Sequence, residues 1–133
     1  AVDSSNYLYQ PLITGGYGGK IQLSCFDDGG DVASGFRQGV VTHAVEGPNA
    51  QAQLAFILLY NALTGNKMVT SEGVPADILM PYVLLTSAEE YENYVKRSEG
   101  GIYSWDELKE FITLANPDAD LAKFTALAQS FSK

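Results

Sequence analysis

The sequence has one cysteine, one histidine and few basic side chains, and each scarcity closes off a class of chemistry. Lone Cys25 allows no internal disulfide and leaves the redox compartment undecided. Lone His43 sits within the β-branched run Val40-Val41-Thr42-His43-Ala44-Val45, so a packed or rim histidine is expected there. No histidine zinc cluster and no Ser-His-Asp set can be assembled around it. Eight Lys and Arg face sixteen Asp and Glu, for a net charge of −8. The acidic excess holds on both sides of residue 86: 3 basic and 7 acidic groups before it, 5 and 9 after. With no basic patch to neutralise phosphates, nucleic acid is not an expected partner. No apolar run reaches the roughly 18–20 residues of a membrane span. The opening Ala1-Val2-Asp3-Ser4-Ser5 has neither a basic start nor an apolar stretch, so it does not read as a targeting segment.

What is present is an alternation of short apolar runs and helical patterns. Residues 1–5 look like a strand end, and residues 6–13 have helical spacing that fails at Gly15, Gly16, Gly18 and Gly19. Ile21-Gln22-Leu23-Ser24-Cys25-Phe26 reads as a strand running into the polar turn Asp27-Asp28-Gly29-Gly30-Asp31. A short helix is expected over 32–39 and a third strand over 40–45. Pro48 and Gly65 then bracket a helix so apolar that it should be well buried against a sheet. The apolar segment 78–86 contains Pro81, which cannot donate to a ladder, so this strand should lie at an edge, bend, or leave the sheet.

Beyond Thr86 the pattern is helical. Ser87-Ala88-Glu89-Glu90, starting a helix with Tyr91, Tyr94 and Val95 on one side, and Ser104-Trp105-Asp106-Glu107 are both capping-box sequences. The second should start a helix with Leu108, Phe111, Ile112 and Ala115 as its apolar face, stopped by Asn116-Pro117. Leu121, Phe124, Leu127, Ala128 and Phe131 mark a last helix. The expected fold is therefore α/β: a mostly parallel sheet of about four strands flanked by helices, with a helical C-terminal tail. The expected domains are a βα-repeating part, 1–86, and a helical extension, 87–133, packed on it or on a partner.

In open α/β sheets, ligands bind beyond the carboxyl ends of the strands. That rule selects Ser5-Asn6, Asp27-Asp28 and Glu46-Gly47. An amide and neighbouring carboxylates suit a polyhydroxylated ligand, since carboxylates accept from adjacent hydroxyls and Asn both donates and accepts. The plain alternative is that Asn6 and Asp27 only cap the helices that follow them. Other candidates are weaker. Asp27-Asp28-Gly29-Gly30-Asp31 has Gln38, not a bidentate Glu, at the twelfth position of a calcium loop. The glycines 15–19 precede a strand instead of linking a strand to a helix, so they form a turn, not a phosphate loop. Cys25 reads as a small core residue, and Tyr7, Tyr9 and Tyr17 either stack on a sugar or simply pack.

Several of these segments resemble ribose-type periplasmic sugar-binding proteins of ABC importers. Ser4-Ser5-Asn6-Tyr7-Leu8-Tyr9-Gln10-Pro11-Leu12 occupies the place of that family's "S/T-N-D-x-M-A-x-G" stretch. Ile21-Gln22-Leu23-Ser24-Cys25-Phe26-Asp27-Asp28 is similar to its "I-x-V-V-G-F-D" strand, and residues 41–48 to its "A-T-V-x-Q-x-P" strand. Leu63-Thr64-Gly65 resembles its "A-L-x-G" helix end, and Pro81-Tyr82-Val83-Leu84-Leu85-Thr86 its "T-P-Y-V-L-V-T" segment. Tyr7 and Cys25 depart from the family's Asp and Gly, and Glu46 replaces its Gln, which adds charge to the cleft; these departures leave the ligand open.

The resemblance implies non-catalytic binding of a sugar-like solute by Asn6, Asp27 and Glu46, with no cofactor and no metal. It implies a periplasmic or extracellular protein, lipoprotein-anchored in some forms, that serves an ABC permease. It also implies that the chain begins inside the C-terminal lobe of a two-lobed protein that closes by a hinge. In such a fragment, the edges at 1–5 and 81–86 invite a homodimer. The rival with the same fold is the effector-binding domain of a LacI-type transcriptional regulator; the rival by class is a flavodoxin-like enzyme or signalling domain, for which no reactive constellation stands in the sequence.

Overall fold

In a computed structural model the described residues are 5–27 and 30–132, apart from the side chains of Ser5, Asn6 and Ser132. A π-helical turn, Ser5–Tyr9, leads into α1 (Gln10–Thr14), which stops at the glycine-rich turn. There follow β1 (Leu23–Phe26), α2 (Val32–Arg37), β2 (Val41–Glu46), α3 (Pro48–Leu63), β3 (Val83–Leu85), α4 (Ala88–Ser98), α5 (Trp105–Lys109) and α6 (Leu121–Gln129). The chain divides into two compact units, one made of 1–47 and 82–99, the other of 48–81 and 100–133. The expected boundary after residue 86 falls inside the first.

The first unit holds the sheet, in the order β1-β2-β3. β1 and β2 are parallel, with Cys25 opposite Ala44 and Phe26 opposite Val45. β2 and β3 are antiparallel, with Glu46 opposite Val83. The fold is thus α/β, but its sheet is mixed and has three strands among the described residues, not about four mostly parallel ones. The strand end expected at 1–5 lies, except for Ser5, outside the described residues. The antiparallel pair has a topological cause. β3 starts beside the end of β2, so α3 and the irregular segment 66–82 leave and return at the same end of the sheet; a parallel crossover must return the chain to the other end. Of the strand expected over 78–86 only β3 forms, beginning after Pro81, and it lies at the edge.

Close approach shapes this unit's core of Tyr9, Cys25, Val32, Val40, Val41, Ala44 and Leu85. A Cβ on Gly35 would stand 2.6 Å from Val41 Cγ2, so glycine in the middle of α2 lets the helix settle onto β2. α2 is capped by Asp31, whose Oδ1 accepts from Ser34 N–H at 3.0 Å. Arg37, in its last turn, pairs with Glu92 of α4. α4 is capped by Ser87, and Glu90 Oε2 accepts from the backbone N–H (2.7 Å) and the hydroxyl (3.0 Å) of Thr86.

The second unit is organised by two amides of α3, buried Asn61 and half-buried Gln53. Asn61 donates from Nδ2 to Phe111 C=O at 2.8 Å, and its Oδ1 accepts from Thr113 N–H at 3.1 Å. Gln53 pairs in the same manner with both backbone groups of Tyr103, at 3.0 Å each. The Asn61 bonds explain why the helix expected to run to Ala115 stops at Lys109. They take up Phe111 C=O and Thr113 N–H, and turns replace the helical ladder over the next residues. Ser104 and Glu107 do form the full capping box at its start. Phe111 and Phe124 meet edge to face at 5.1 Å above a core that includes Ile57, Phe124, Ala128 and Phe131.

α3 is not buried over most of its surface. Only the stripe Ala50, Leu54, Ile57 and Asn61 is buried, while Phe56, Leu59 and Leu63 are exposed. Its overall apolar composition hid the fact that one of its buried positions is an asparagine and that leucines lie on the other face. The helix ends where expected, at Gly65, whose φ of +81° suits glycine.

Candidate functional site

The parallel pair brings two carboxylates to one edge. Phe26 and Val45 are opposite each other, so the next residues, Asp27 and Glu46, leave the same carboxyl end of β1 and β2. Asp27 N–H extends the ladder by one bond, to Val45 C=O at 3.0 Å. Its φ of 51° places it in the left-handed region, which Asp adopts more readily than most residues. This turns the chain sharply out of the sheet just after the strand. Asp27 Oδ1 is buried and has no hydrogen-bond partner among the described residues. Burial pushes its carboxyl above the ordinary range for aspartate.

Glu46 ends β2 and is 7% exposed, a rare burial for a glutamate. α4 supplies a third group. Tyr94 is 8% exposed, and its hydroxyl is pushed up to about 12, first by burial and then by the negative charges of Glu46 and Asp27, with Arg97 pulling the other way. The electrostatic reach of both carboxylates to one phenol places the three side chains in one neighbourhood. Beside them, Phe26 and Tyr82 pack as tilted rings 4.8 Å apart, and Tyr82 remains 42% exposed. Tyr82 precedes Val83, the partner of Glu46, so this aromatic surface borders the same end of the sheet.

The sequence-based site is therefore assembled in part. Asp27 and Glu46 come together as the carboxyl-end rule expects. The capping alternative does not describe Asp27, because Asp31 caps α2. The Asn6 side chain lies outside the described residues; its backbone belongs to the π-helical turn. Tyr94 was missed as a site residue, because in the sequence it registers only as part of the apolar face of α4. Tyr82 sits within the Pro81–Thr86 motif, and its place beside Glu46 follows from the antiparallel pairing of β3.

The remaining candidates resolve into packing. Tyr9 is buried next to Gly35, whereas Tyr7 and Tyr17 are exposed. Cys25 is buried and its thiol contacts His43 C=O at 3.6 Å; exposed His43 has Nδ1 3.0 Å from Thr42 Oγ1. Among the described residues no cluster of three His, Cys, Asp or Glu could hold a metal ion. The second unit has an open cleft of about 460 Å³, with Lys67, Met68, Thr113 and Leu114 in its walls. Its walls contain neither of the two carboxylates, Asp27 and Glu46, found at the sheet edge. No family model matches the chain, and comparison with curated proteins and with solved structures finds no match.

Proposed function

We infer that the chain is a non-catalytic binding module for a small polyhydroxylated, sugar-like solute, captured at the carboxyl end of β1 and β2. The observation that carries this reading is the buried acceptor Asp27 Oδ1, which no described protein group satisfies, beside a second carboxylate, Glu46. Burying an acceptor without a donor costs free energy, and a ligand hydroxyl would recover it. Two neighbouring carboxylates accept from vicinal hydroxyls, and the exposed ring of Tyr82 offers a flat apolar surface for the C–H face of a sugar. The resemblance to ribose-type binding proteins extends this reading. The module would serve an ABC importer from a periplasmic or extracellular position, lipid-anchored in some forms, and would dock on its permease when closed.

An NMR amide-shift titration with a panel of pentoses and hexoses at millimolar concentration tests this reading, because the method still registers weak affinity. At least one sugar should give saturable shifts centred on Asp27, Glu46 and Tyr94, and these should disappear in Asp27→Asn. Shifts centred elsewhere, or none with any sugar, would sink the proposal.

A further inference from the structure

The cleft of the second unit is built by two short stretches of chain, within 66–69 and 113–121. Thr113 ties them together: its hydroxyl donates to Asn66 C=O at 2.7 Å, and its N–H donates to Asn61 Oδ1 at 3.1 Å. Val69 is fixed in turn by a bridge to Pro75. The cleft is therefore held open by the fold. Buried Met68, exposed Val69 and Leu114, and half-buried Leu121 give it apolar walls. Its volume of about 460 Å³ is that of small-molecule sites, which are mostly apolar with a few polar groups that orient the ligand. Among the described residues that line it, Lys67 alone is charged, and it takes part in no ion pair there.

We propose that this cleft binds a small amphiphilic carboxylate, its hydrocarbon part against Met68, Leu114 and Leu121 and its carboxylate on the ammonium of Lys67. Each half of such a ligand has its counterpart. The hydrocarbon leaves water for walls that the fold already holds in place, and each methylene so buried tightens binding about three- to fourfold. The carboxylate gains a charge-assisted hydrogen bond from a donor that no protein acceptor occupies. A neutral apolar molecule leaves that donor unused, and an alkylammonium is repelled by it. The net charge of −8 does not cancel this preference, because acids beyond about 10 Å are screened at ordinary ionic strength. The acids nearest in sequence to the 113–121 wall at its α6 end, Asp118 and Asp120, are not lining residues, and Asp120 Oδ1 accepts from Ala122 N–H at 2.7 Å. The charge that a ligand's head group meets in the cleft is thus positive. All the lining residues belong to the second unit, and the proposal stands whether or not a sugar binds at the sheet edge.

Amide-shift titrations of the whole chain with octanoate, hexanoate and octylammonium, in about 0.15 M salt, test the proposal. Octanoate should give saturable shifts in the amides of 66–69 and 113–121. Hexanoate should bind at the same place roughly tenfold more weakly, for its two fewer methylenes. Octylammonium should leave these amides unmoved. Lys67 is exposed, so Lys67→Met should keep a dispersed spectrum and an apolar wall while weakening octanoate about tenfold. The comparison of octanoate with octylammonium on the wild type reads the same preference without any variant. The proposal is overturned if neither acid gives saturable shifts, or if the shifts centre outside the cleft. It is equally overturned if octylammonium binds there as well as octanoate, or if folded Lys67→Met holds octanoate as tightly as the wild type.

Discussion

Tyr94 and Asn61 are both buried polar side chains, and the surroundings of each decide its role. Asn61 spends its amide on the backbone of Phe111 and Thr113, so it shapes the chain and is not available to a ligand. Tyr94 instead lies within the field of two carboxylates. Burial, with the charges of Glu46 and Asp27, pushes the phenol of Tyr94 up to about 12 in the folded protein from 10.0 in an ordinary chain. The folded-state value is the raised one, so the stabilisation is fully present below pH 10 and is lost as the pH climbs through about 12. A shift of this size corresponds to about 3 kcal/mol across that window. Following tyrosinate absorbance between pH 9 and 13, one of the eight tyrosines should ionise last, and Tyr94→Phe should remove that final step while lessening the loss of stability above pH 10. If the late step survives in Tyr94→Phe, another tyrosine ionises last and burial beside the two carboxylates does not raise this phenol.

At the scale of the element, α2 shows how a residue unfavourable to a helix can be the right one. Alanine in place of Gly35 would improve helix propensity by about 1 kcal/mol. It would also place a Cβ 2.6 Å from Val41 Cγ2, on a short branched side chain with little room to move. Overpacking of this kind costs on the order of 1–3 kcal/mol. Gly35→Ala should therefore lower stability by about 1 kcal/mol in urea unfolding; a gain would mean that α2 does not press on β2. The weak helix at 32–39 was legible in the sequence, but its reason for carrying glycine was not, since that reason is a contact with another element. The same division runs through the chain. Proline, glycine and capping serines marked the limits of α3, α4 and the start of α5, an apolar run ending in a polar turn marked β1, and a β-branched run marked β2, because these signals are local. The end of α5, the exposed face of α3 and the antiparallel β3 depend on Asn61, on which leucines face inward, and on where residues 66–82 return. None of these leaves a local trace. The site divides likewise: strand ends announced Asp27 and Glu46, whereas Tyr94 joins them only because α4 packs beside α2.

For the whole molecule, the chain passes between its two units at 47/48, 81/82 and 99/100, so each unit is assembled from two separate stretches. The sheet-bearing unit needs residues 82–99, which supply β3, the ion pair of Glu92 with Arg37, and the buried Tyr91 and Tyr94. The other unit needs residues beyond 100 even more. Asn61 and Gln53 would face no backbone partner without Tyr103, Phe111 and Thr113, and the large core side chains Phe124 and Phe131 would be missing. A chain ending at residue 86 therefore carries one unit stripped of α4 and another stripped of its core. Losing a single buried Phe costs about 3–5 kcal/mol, a large share of the roughly 5–15 kcal/mol that holds a domain together. Residues 1–86 should show no cooperative thermal transition and no near-UV circular dichroism, whereas residues 1–133 should show both. A shortened chain with sharp, dispersed amide resonances would mean that the first 86 residues carry a core of their own, and that α4, α5 and α6 are additions to it.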